Sequence, residues 1–347
     1  MSPRTPQVAK YVFICVVLCL IVAYGSFWST TSVAAADPIR LTGAFYQLGG
    51  NPFRVGGGGP SSPTTLSEPA SQWAMQKIRE SAALTSSDGG QGIVVAVVDT
   101  GVTLNHSYLQ GHFTSARRNF VPGRADDDVS DVPDGTTNIG VGHGTFIAGL
   151  IRQVAPNALI MPVRVLNGDA IGTDVQVAAG VRFAADNGAH IINLSLGGTQ
   201  DSSLLHSAVD YAAKKGAVVV ASGGNENVDK LQWPANYSNA LAVVASDSDD
   251  HKTFFSNYGG ASDVSAPGIN LYSTYSNGAW TWGSGTSFAA ALVSGEAALV
   301  RAAYPSLSVS GIRDRIKSKS VSIKALNPTY GDKLGKGRID VYLALQP

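Results

Sequence analysis

Five short apolar runs constrain the fold more than any other feature of this sequence. Each run is rich in β-branched residues, and none shows the polar alternation of a strand with one solvated face. Strands of this kind are buried on both faces, as in a parallel sheet whose crossover connections are helices. The runs span residues 93–98, 159–165, 191–195, 218–222 and 241–245.

Two of the segments between these runs carry helix start and stop signals. Thr173 and Ser202 can each cap a helix N-terminus, and Gly188 and Gly216 can end the two helices. The apolar residues in between recur at helical spacing. Strand, helix and strand at these lengths predict an α/β domain with three layers, in which a mostly parallel sheet is doubly wound.

The N-terminal residues 1–36 have the layout of an export signal. Arg4 and Lys10 precede an apolar run, and small residues follow it up to Ala36. The apolar run is shorter than the ~20 residues that a membrane-spanning helix needs. We therefore predict a signal peptide that is cleaved after Ala36, with a retained signal anchor through residues 11–28 as the alternative.

Residues 37–67 are rich in glycine and proline and poor in residues that could form a core. Such a composition cannot offset the entropy of ordering the chain, so we predict a flexible linker or a short pro-segment here. The folded domain then takes residues 68–347. With an export signal in front of it, the protein is expected to be secreted or extracytoplasmic, and membrane-bound only if the signal is retained.

Charge and cysteine content exclude one function class and leave disulfides open. The 347 residues contain 25 basic and 25 acidic side chains, and this balance argues against nucleic-acid binding, which needs a basic surplus. Both cysteines, Cys15 and Cys19, lie in the predicted signal. They therefore indicate nothing about disulfides in the exported form.

A cluster of aspartates could offer oxygen ligands to calcium. Its spacing is not that of an EF-hand loop, so it does not support a calcium site, and we interpret the cluster as a solvated loop. We expect no required metal or other cofactor, with a structural calcium ion as the open alternative. The cluster consists of Asp126, Asp127, Asp128, Asp131 and Asp134.

Three residues that are far apart in sequence could together form an activated serine nucleophile. Asp99 follows the first apolar run, His143 lies between two glycines at a helix start, and Ser287 opens a long helix of small residues. Singly, each has an ordinary structural explanation, in a turn, a loop or a helix cap. A serine hydroxyl, however, is a weak nucleophile until an imidazole accepts its proton, and the imidazole needs a carboxylate to fix its tautomer.

Asn225 could complete such a site. It follows the end of the fourth apolar run, and its side-chain amide can donate a hydrogen bond. Placing Ser287 at a helix N-terminus adds backbone N–H groups and the positive end of the helix dipole. Together these donors could stabilise the negative oxygen that forms when a serine attacks a carbonyl group.

These segments resemble the motifs of subtilisin-like serine proteases, the subtilases of peptidase family S8. The resemblance covers roughly residues 70–344 and follows the family's chain order of Asp, His and Ser. It implies a subtilisin-like α/β fold and a serine endopeptidase that hydrolyses polypeptides through an Asp-His-Ser triad and an acyl-enzyme. The motifs are Asp99-Thr100-Gly101, His143-Gly144-Thr145, the Asn225 segment of the oxyanion hole and Gly285-Thr286-Ser287.

The resemblance also implies where a substrate peptide binds. Ser195, Leu196 and Gly197 resemble the strand that pairs with an extended peptide. The stretch from Leu166 to Gly172 resembles the strand and loop that face it. A bound peptide would then add itself between them as a β-strand.

Gly223 and Gly224 belong by the same resemblance to the wall of the pocket for the residue before the scissile bond. The wall segments contain no acid that would select lysine or arginine. We therefore expect a broad or neutral-to-apolar preference at this position. The protein is expected to act as a monomer whose partner is its polypeptide substrate.

Several positions near the motifs depart from the family pattern. Phe146, Phe288, Ala291 and Leu292 stand where the family commonly has histidine, methionine, proline and histidine. These departures motivate an alternative, a catalytically silent subtilase fold that serves as a surface binding module. An α/β-hydrolase esterase fits poorly, because its serine would precede the acid and the histidine, whereas Ser287 comes last.

Overall fold

The apolar runs form parallel strands in the computed structural model, which describes residues 38–41 and 72–347. The strands are β1 (Pro38–Leu41), β2 (Val94–Asp99), β3 (Arg118–Asn119), β4 (Leu159–Arg164), β5 (Ile171–Thr173), β6 (Ile191–Leu194), β7 (Leu196–Gly197), β8 (Val218–Ser222), β9 (Ala240–Ser246), β10 (Val264–Pro267), β11 (Leu271–Thr274) and β12 (Trp280–Gly283). The five predicted runs correspond to β2, β4, β6, β8 and β9 to within one residue at each end.

The capping signals of the sequence mark real helix ends. Thr173 and Ser202 each accept a hydrogen bond from a backbone N–H three residues later. Gly188 and Gly216, with φ angles of 84° and 93°, follow the last turns of the same two helices. The α-helices of the described residues are α1 (Trp73–Lys77), α2 (Glu80–Leu84), α3 (His143–Val154), α4 (Asp174–Asp186), α5 (Ser203–Lys214), α6 (Thr286–Ala303), α7 (Val309–Lys319) and α8 (Val341–Leu345).

The main sheet has seven parallel strands in the order β3-β4-β2-β6-β8-β9-β10. The chain builds from β2 to β4 on one side and then continues from β6 on the other side. Connections that leave a strand in opposite directions open a crevice at the carboxyl ends of the strands, where α/β sheets bind ligands. Asp99 is the last residue of β2 and therefore lies at this switch point.

Helices cover both faces of the sheet, which confirms the predicted three-layer, doubly wound α/β fold. Val95 and Val97 of β2 pack into one core with α3 and α6. Ala96 and Val98 pack into a second core with α4 and α5. None of these four side chains is more than 1% exposed. The central strand is thus buried on both faces, as its unbroken apolar sequence predicts.

Two smaller antiparallel sheets complete the described structure, one with β1 between β5 and β7 and one that pairs β11 with β12. β1 belongs to the predicted linker or pro-segment at residues 37–67. The rest of that segment and the predicted signal at residues 1–36 lie outside the described residues. None of the helices in the described ranges has the length and apolar character that crossing a bilayer requires.

A buried acid lies near the middle of α6. Glu296 is 0% exposed, and neither carboxyl oxygen makes a hydrogen bond of good geometry with the described residues. Burial raises the pKa of this carboxyl well above its usual range, and the charge of Asp340 adds to the effect. The guanidinium of Arg338 already donates to Asp250 and to two backbone carbonyls. Burial therefore favours the neutral form of Glu296 in the folded protein.

Glu296→Gln is expected to make the free energy of unfolding less dependent on pH. The folded protein binds the proton more tightly than the unfolded chain, which releases it above the ordinary pKa of 4.5. The stability that the protonated acid provides is complete below that pH and is lost as the pH rises toward the folded-state pKa. Urea titrations in a Ser287→Ala background should show an advantage of the glutamine variant that grows with pH. An advantage that stays constant with pH would contradict this assignment.

Candidate active site

The end of β2 and the first residue of α3 meet in a buried hydrogen bond. His143 Nδ1 lies 2.7 Å from Asp99 Oδ1, and the two side chains are 1% and 0% exposed. The same carboxylate oxygen accepts the backbone N–H of Thr100 at 2.7 Å. A carboxylate at Nδ1 makes this nitrogen the proton donor and leaves Nε2 as the basic atom of a neutral imidazole. The structure thus brings together two of the three residues selected from the sequence.

Ser287 lies in the first turn of α6 and is tied to the chain between β6 and β7. Its Oγ donates to the carbonyl oxygen of Ser195 at 3.1 Å, and Ser195 Oγ donates to the Ser287 carbonyl at 2.8 Å. The ring of His143 lies beside the next residue of α6, Phe288, at a centroid distance of 5.7 Å. The third predicted residue therefore lies at the same edge of the sheet as the Asp99–His143 pair.

Asn225 reaches the start of α6 from the loop after β8. Its Oδ1 accepts the backbone N–H of Thr286 at 2.9 Å, and the Thr286 hydroxyl accepts the N–H of Gly224 at 3.2 Å. Because Oδ1 is engaged in this way, the position of the donor atom Nδ2 is fixed. Nδ2 lies 3.4 Å from where a Cβ on Gly285 would be. The amide donor is thus held at the residue that precedes Thr286-Ser287.

The predicted substrate strands hold an extended segment of the chain itself. β1 pairs antiparallel with both β5 and β7, and Arg40 lies opposite Ile171 on one side and Gly197 on the other. Leu41 lies opposite Leu196. A strand therefore occupies the position that the family resemblance implies for an extended peptide.

Gly172 and Leu166 shape one side of this groove. A Cβ on Gly172 would lie 2.4 Å from the carbonyl oxygen of Val165 and 2.8 Å from a methyl carbon of Leu166. Glycine therefore allows β5 to approach the chain after β4 this closely. Leu166 is 0% exposed, and its N–H donates to the carbonyl oxygen of Asp99 at 3.2 Å. This side of the groove is thus attached to the end of β2.

The predicted pocket wall turns at Gly223 and Gly224. Gly224 has a φ of 108°, and a Cβ there would lie 2.3 Å from Asn257 Nδ2, so the position requires glycine. Outside the predicted wall segments, Glu226 places a carboxylate against this turn. Its Oε2 accepts the N–H of Asn225 at 3.1 Å and Asn257 Nδ2 at 2.7 Å. An acid therefore does lie beside the predicted pocket wall, and its carboxylate already accepts two hydrogen bonds.

Two of the departures from the family pattern contact each other behind the site. The rings of Phe146 and Phe288 lie 4.3 Å apart between centroids, and both residues are at most 1% exposed. Ala291 and Leu292 are 0% exposed in the same helix. The changed residues therefore fill a common core region. The sequence shows each substitution but carries no signal that the two rings meet.

The interpretation of the acidic cluster as a solvated loop is wrong for Asp131. This side chain is 5% exposed and accepts hydrogen bonds from the start of α3. Asp134 is an exposed residue, but its Oδ2 accepts from the fully buried guanidinium of Arg164 at 2.6 Å. Within the described ranges, no group of three or more His, Cys, Asp or Glu side chains could hold a metal ion.

Comparison with known proteins establishes the family. Residues 90–337 match the family model of the Subtilase family, peptidase S8, so the chain belongs to this family and is a serine-type endopeptidase. It is 40% identical over 285 residues to thermitase of Thermoactinomyces vulgaris, an alignment that covers 79% of this chain and 96% of thermitase. It is 36% identical over 271 residues to subtilisin BL of Lederbergia lenta, covering 76% and 95% of the two chains.

A solved structure agrees with the fold. A protease from Pseudoalteromonas arctica superposes with a TM-score of 0.69 at 29% sequence identity. The match covers 76% of this chain and 92% of that protease. Together with the parallel seven-stranded sheet, this similarity confirms the subtilisin-like α/β fold that the sequence predicts.

Proposed function

We propose that Asp99, His143 and Ser287 are the catalytic triad of this endopeptidase. The observation that carries the proposal is the buried hydrogen bond between Asp99 and His143 beside the first turn of α6. His143 Nε2 accepts the Ser287 proton as Oγ bonds to the substrate carbonyl carbon. The imidazolium then gives this proton to the leaving amine while the C–N bond breaks. Water enters by the same steps and releases the acyl group from Oγ.

Asn225 and the N-terminus of α6 stabilise the oxyanion in this mechanism. The tether from Thr286 to Asn225 Oδ1 supports the assignment, because it fixes the donor Nδ2 beside Gly285. Backbone N–H groups of the first turn of α6 and the helix dipole add positive potential at the same point. Donors that are already in place need no rearrangement as charge develops.

A polypeptide substrate binds as an extended strand between β5 and β7. The antiparallel pairing of β1 with both strands supports this part of the proposal, because a substrate peptide would use the same backbone partners. The walls at Gly223 and Gly224 are largely backbone, and the neighbouring Glu226 carboxylate is engaged by two donors. These features support a broad or neutral-to-apolar preference for the residue before the scissile bond.

Export and maturation follow from the N-terminal sequence. The signal layout of residues 1–36 supports delivery of the enzyme to an extracytoplasmic site. Residues 37–67 then act as a short pro-segment, because part of this segment lies in the groove proposed for substrate. A strand in that position competes with any peptide that needs the same backbone partners.

The triad assignment is tested with a fluorophosphonate probe and a casein assay. The wild-type protein should form a covalent adduct at Ser287, located by mass spectrometry of the labelled peptide. Ser287→Ala should abolish labelling and lower casein hydrolysis by about 10⁴-fold or more, the scale on which loss of a triad residue acts. A folded wild-type protein that neither reacts at Ser287 nor cleaves casein would instead identify a silent binding module.

Arg40→Pro is expected to increase the activity of the uncleaved full chain on an added peptide. Proline cannot donate to a strand ladder, and residue 40 has a strand on each side. The variant should show a lower KM with an unchanged kcat, because its own segment competes less for the groove. Ser61→Pro, in the same segment but outside β1, is the matched control. Equal KM values for Arg40→Pro and wild type would contradict the pro-segment role.

A further inference from the structure

Asp131 lies in the loop before α3, with both carboxylate oxygens buried against the start of that helix. We propose that Asp131 is a positioning residue that holds the His143 imidazole in its reactive place by capping α3 from the preceding loop, 11 residues before Gly142. This inference rests on the proposed triad and extends it to a residue that the family motifs do not include. Asp131 itself touches neither substrate nor the reacting atoms.

Both oxygens of Asp131 are engaged on the residues that flank His143. Oδ1 accepts the backbone N–H of Gly142 at 2.9 Å and the hydroxyl of Thr100 at 3.3 Å. Oδ2 accepts the hydroxyl of Thr145 at 2.7 Å and its backbone N–H at 3.2 Å. One carboxylate therefore fixes the chain immediately before and shortly after His143.

Thr100 extends this network to the remaining neighbour of His143 and to the triad acid. Its hydroxyl oxygen accepts the N–H of Gly144 at 3.1 Å, and its own N–H donates to Asp99 Oδ1 at 2.7 Å. The N–H groups of residues 142, 144 and 145 are thus all tied to Asp131, directly or through Thr100. Thr100 thus connects Asp131 to the Asp99 carboxylate, which is hydrogen-bonded to the His143 imidazole.

The local backbone explains why α3 needs a cap from elsewhere. Its N-cap position is Gly142, which has a φ of 91° and no side chain that could cap the first turn. A Cβ at this position would lie 2.0 Å from the ring of Tyr275, so serine, threonine or aspartate cannot replace the glycine. The first N–H groups of a helix require acceptors. Asp131 supplies one for Thr145, and the Thr100 hydroxyl that donates to Asp131 supplies one for Gly144. The negative charge of Asp131 also suits the positive end of the helix dipole.

The charge of Asp131 is sensitive to mild acid. Burial raises the pKa of Asp131 to about 6, and the nearby charge of Asp99 adds to this shift. The other titratable groups that pack here are His143 on α3 and Tyr275 after β11. Arg164 on β4 is directed elsewhere, to the Thr100 carbonyl and Asp134. Asp131 therefore gains a proton and weakens as an acceptor in the same acidic range in which an imidazole base is lost.

Asp131→Asn is the direct test, measured on the full chain with a chromogenic peptide. Whichever way the amide is turned, its NH₂ group faces the backbone N–H of either Gly142 or Thr145, so one capping bond is lost. We expect kcat to fall about 10- to 100-fold, the size of effect that a small misplacement of a catalytic group has. KM should stay unchanged, because the hydrogen bonds of Asp131 go to Thr100, Gly142 and Thr145 and not to β5 or β7. Asp127→Asn, on an exposed side chain of the same loop, should retain kcat within about two-fold.

The pH profile separates positioning from a merely structural role. In the wild type, loss of an imidazole base and protonation of Asp131 both lower activity in acid, so log kcat/KM should fall with a slope above one over the pH range near 6 in which Asp131 gains its proton. In Asp131→Asn one of these groups is absent, and the slope should approach one. A variant with wild-type kcat, or one whose loss appears in KM with an unchanged acid slope, would overturn the proposal.

Thr100→Val provides a second test if Asp131→Asn fails to fold. Valine has a similar shape and removes only the bridge between Asp131 and the Gly144 N–H, so a smaller loss in kcat, about 2- to 10-fold, is expected. An unchanged kcat in this variant would count against the network. Labelling of Ser287 separates a failure of the proposed triad from a failure of the Asp131 role. If the wild-type protein is labelled while both variants retain full kcat, the triad assignment stands and only the role of Asp131 is refuted.

Discussion

The hydrogen bond between Asp99 and His143 is the interaction on which the rest of the site depends. Its two partners are 44 residues apart in sequence, one at the end of a strand and the other at the start of a helix. The parallel sheet brings the end of this strand and the start of this helix together, because β2 lies at the switch point and α3 covers one face of the sheet. The network around Asp131 then holds the helix start in place. The fold thus forms the central contact of the proposed triad as a buried hydrogen bond between two segments that are far apart in sequence.

The helix that carries Ser287 is placed by close packing on the helix that carries His143. A Cβ on Gly295 of α6 would lie 2.6 Å from Val154 Cβ of α3, so the two helices approach to a distance that only glycine allows. The contact between Phe146 and Phe288 packs the same two helices near their N-terminal ends. Side-chain departures from the family pattern therefore occur at an interface that sets the distance between the proposed base and nucleophile. Because the two rings fill this interface together, their substitution is compatible with retained chemistry.

Local signals predicted most of the architecture, and contacts between distant segments account for what they missed. The strands follow from unbroken apolar runs, and the ends of α4 and α5 follow from Thr173, Ser202, Gly188 and Gly216, because these effects act within a few residues. Asp131 could not be distinguished from its exposed neighbours, since its burial depends on α3 and β2. The sequence of residues 37–67 likewise gives no sign that β1 pairs with β5 and β7. These pairings depend on where the fold places the edges of β5 and β7, which residues 37–67 themselves do not indicate.

An NMR measurement of the Nδ1–H proton of His143 is the most direct test of the Asp99–His143 hydrogen bond. Proton NMR of the full chain with ¹⁵N-labelled histidine, in a Ser287→Ala background that prevents self-cleavage, reports the Nδ1–H proton that Asp99 accepts. We expect one far-downfield imidazole N–H signal that disappears in His143→Ala and in Asp99→Ala. The absence of such a signal in the folded parent, or its persistence after Asp99→Ala, would contradict the central role given to this hydrogen bond.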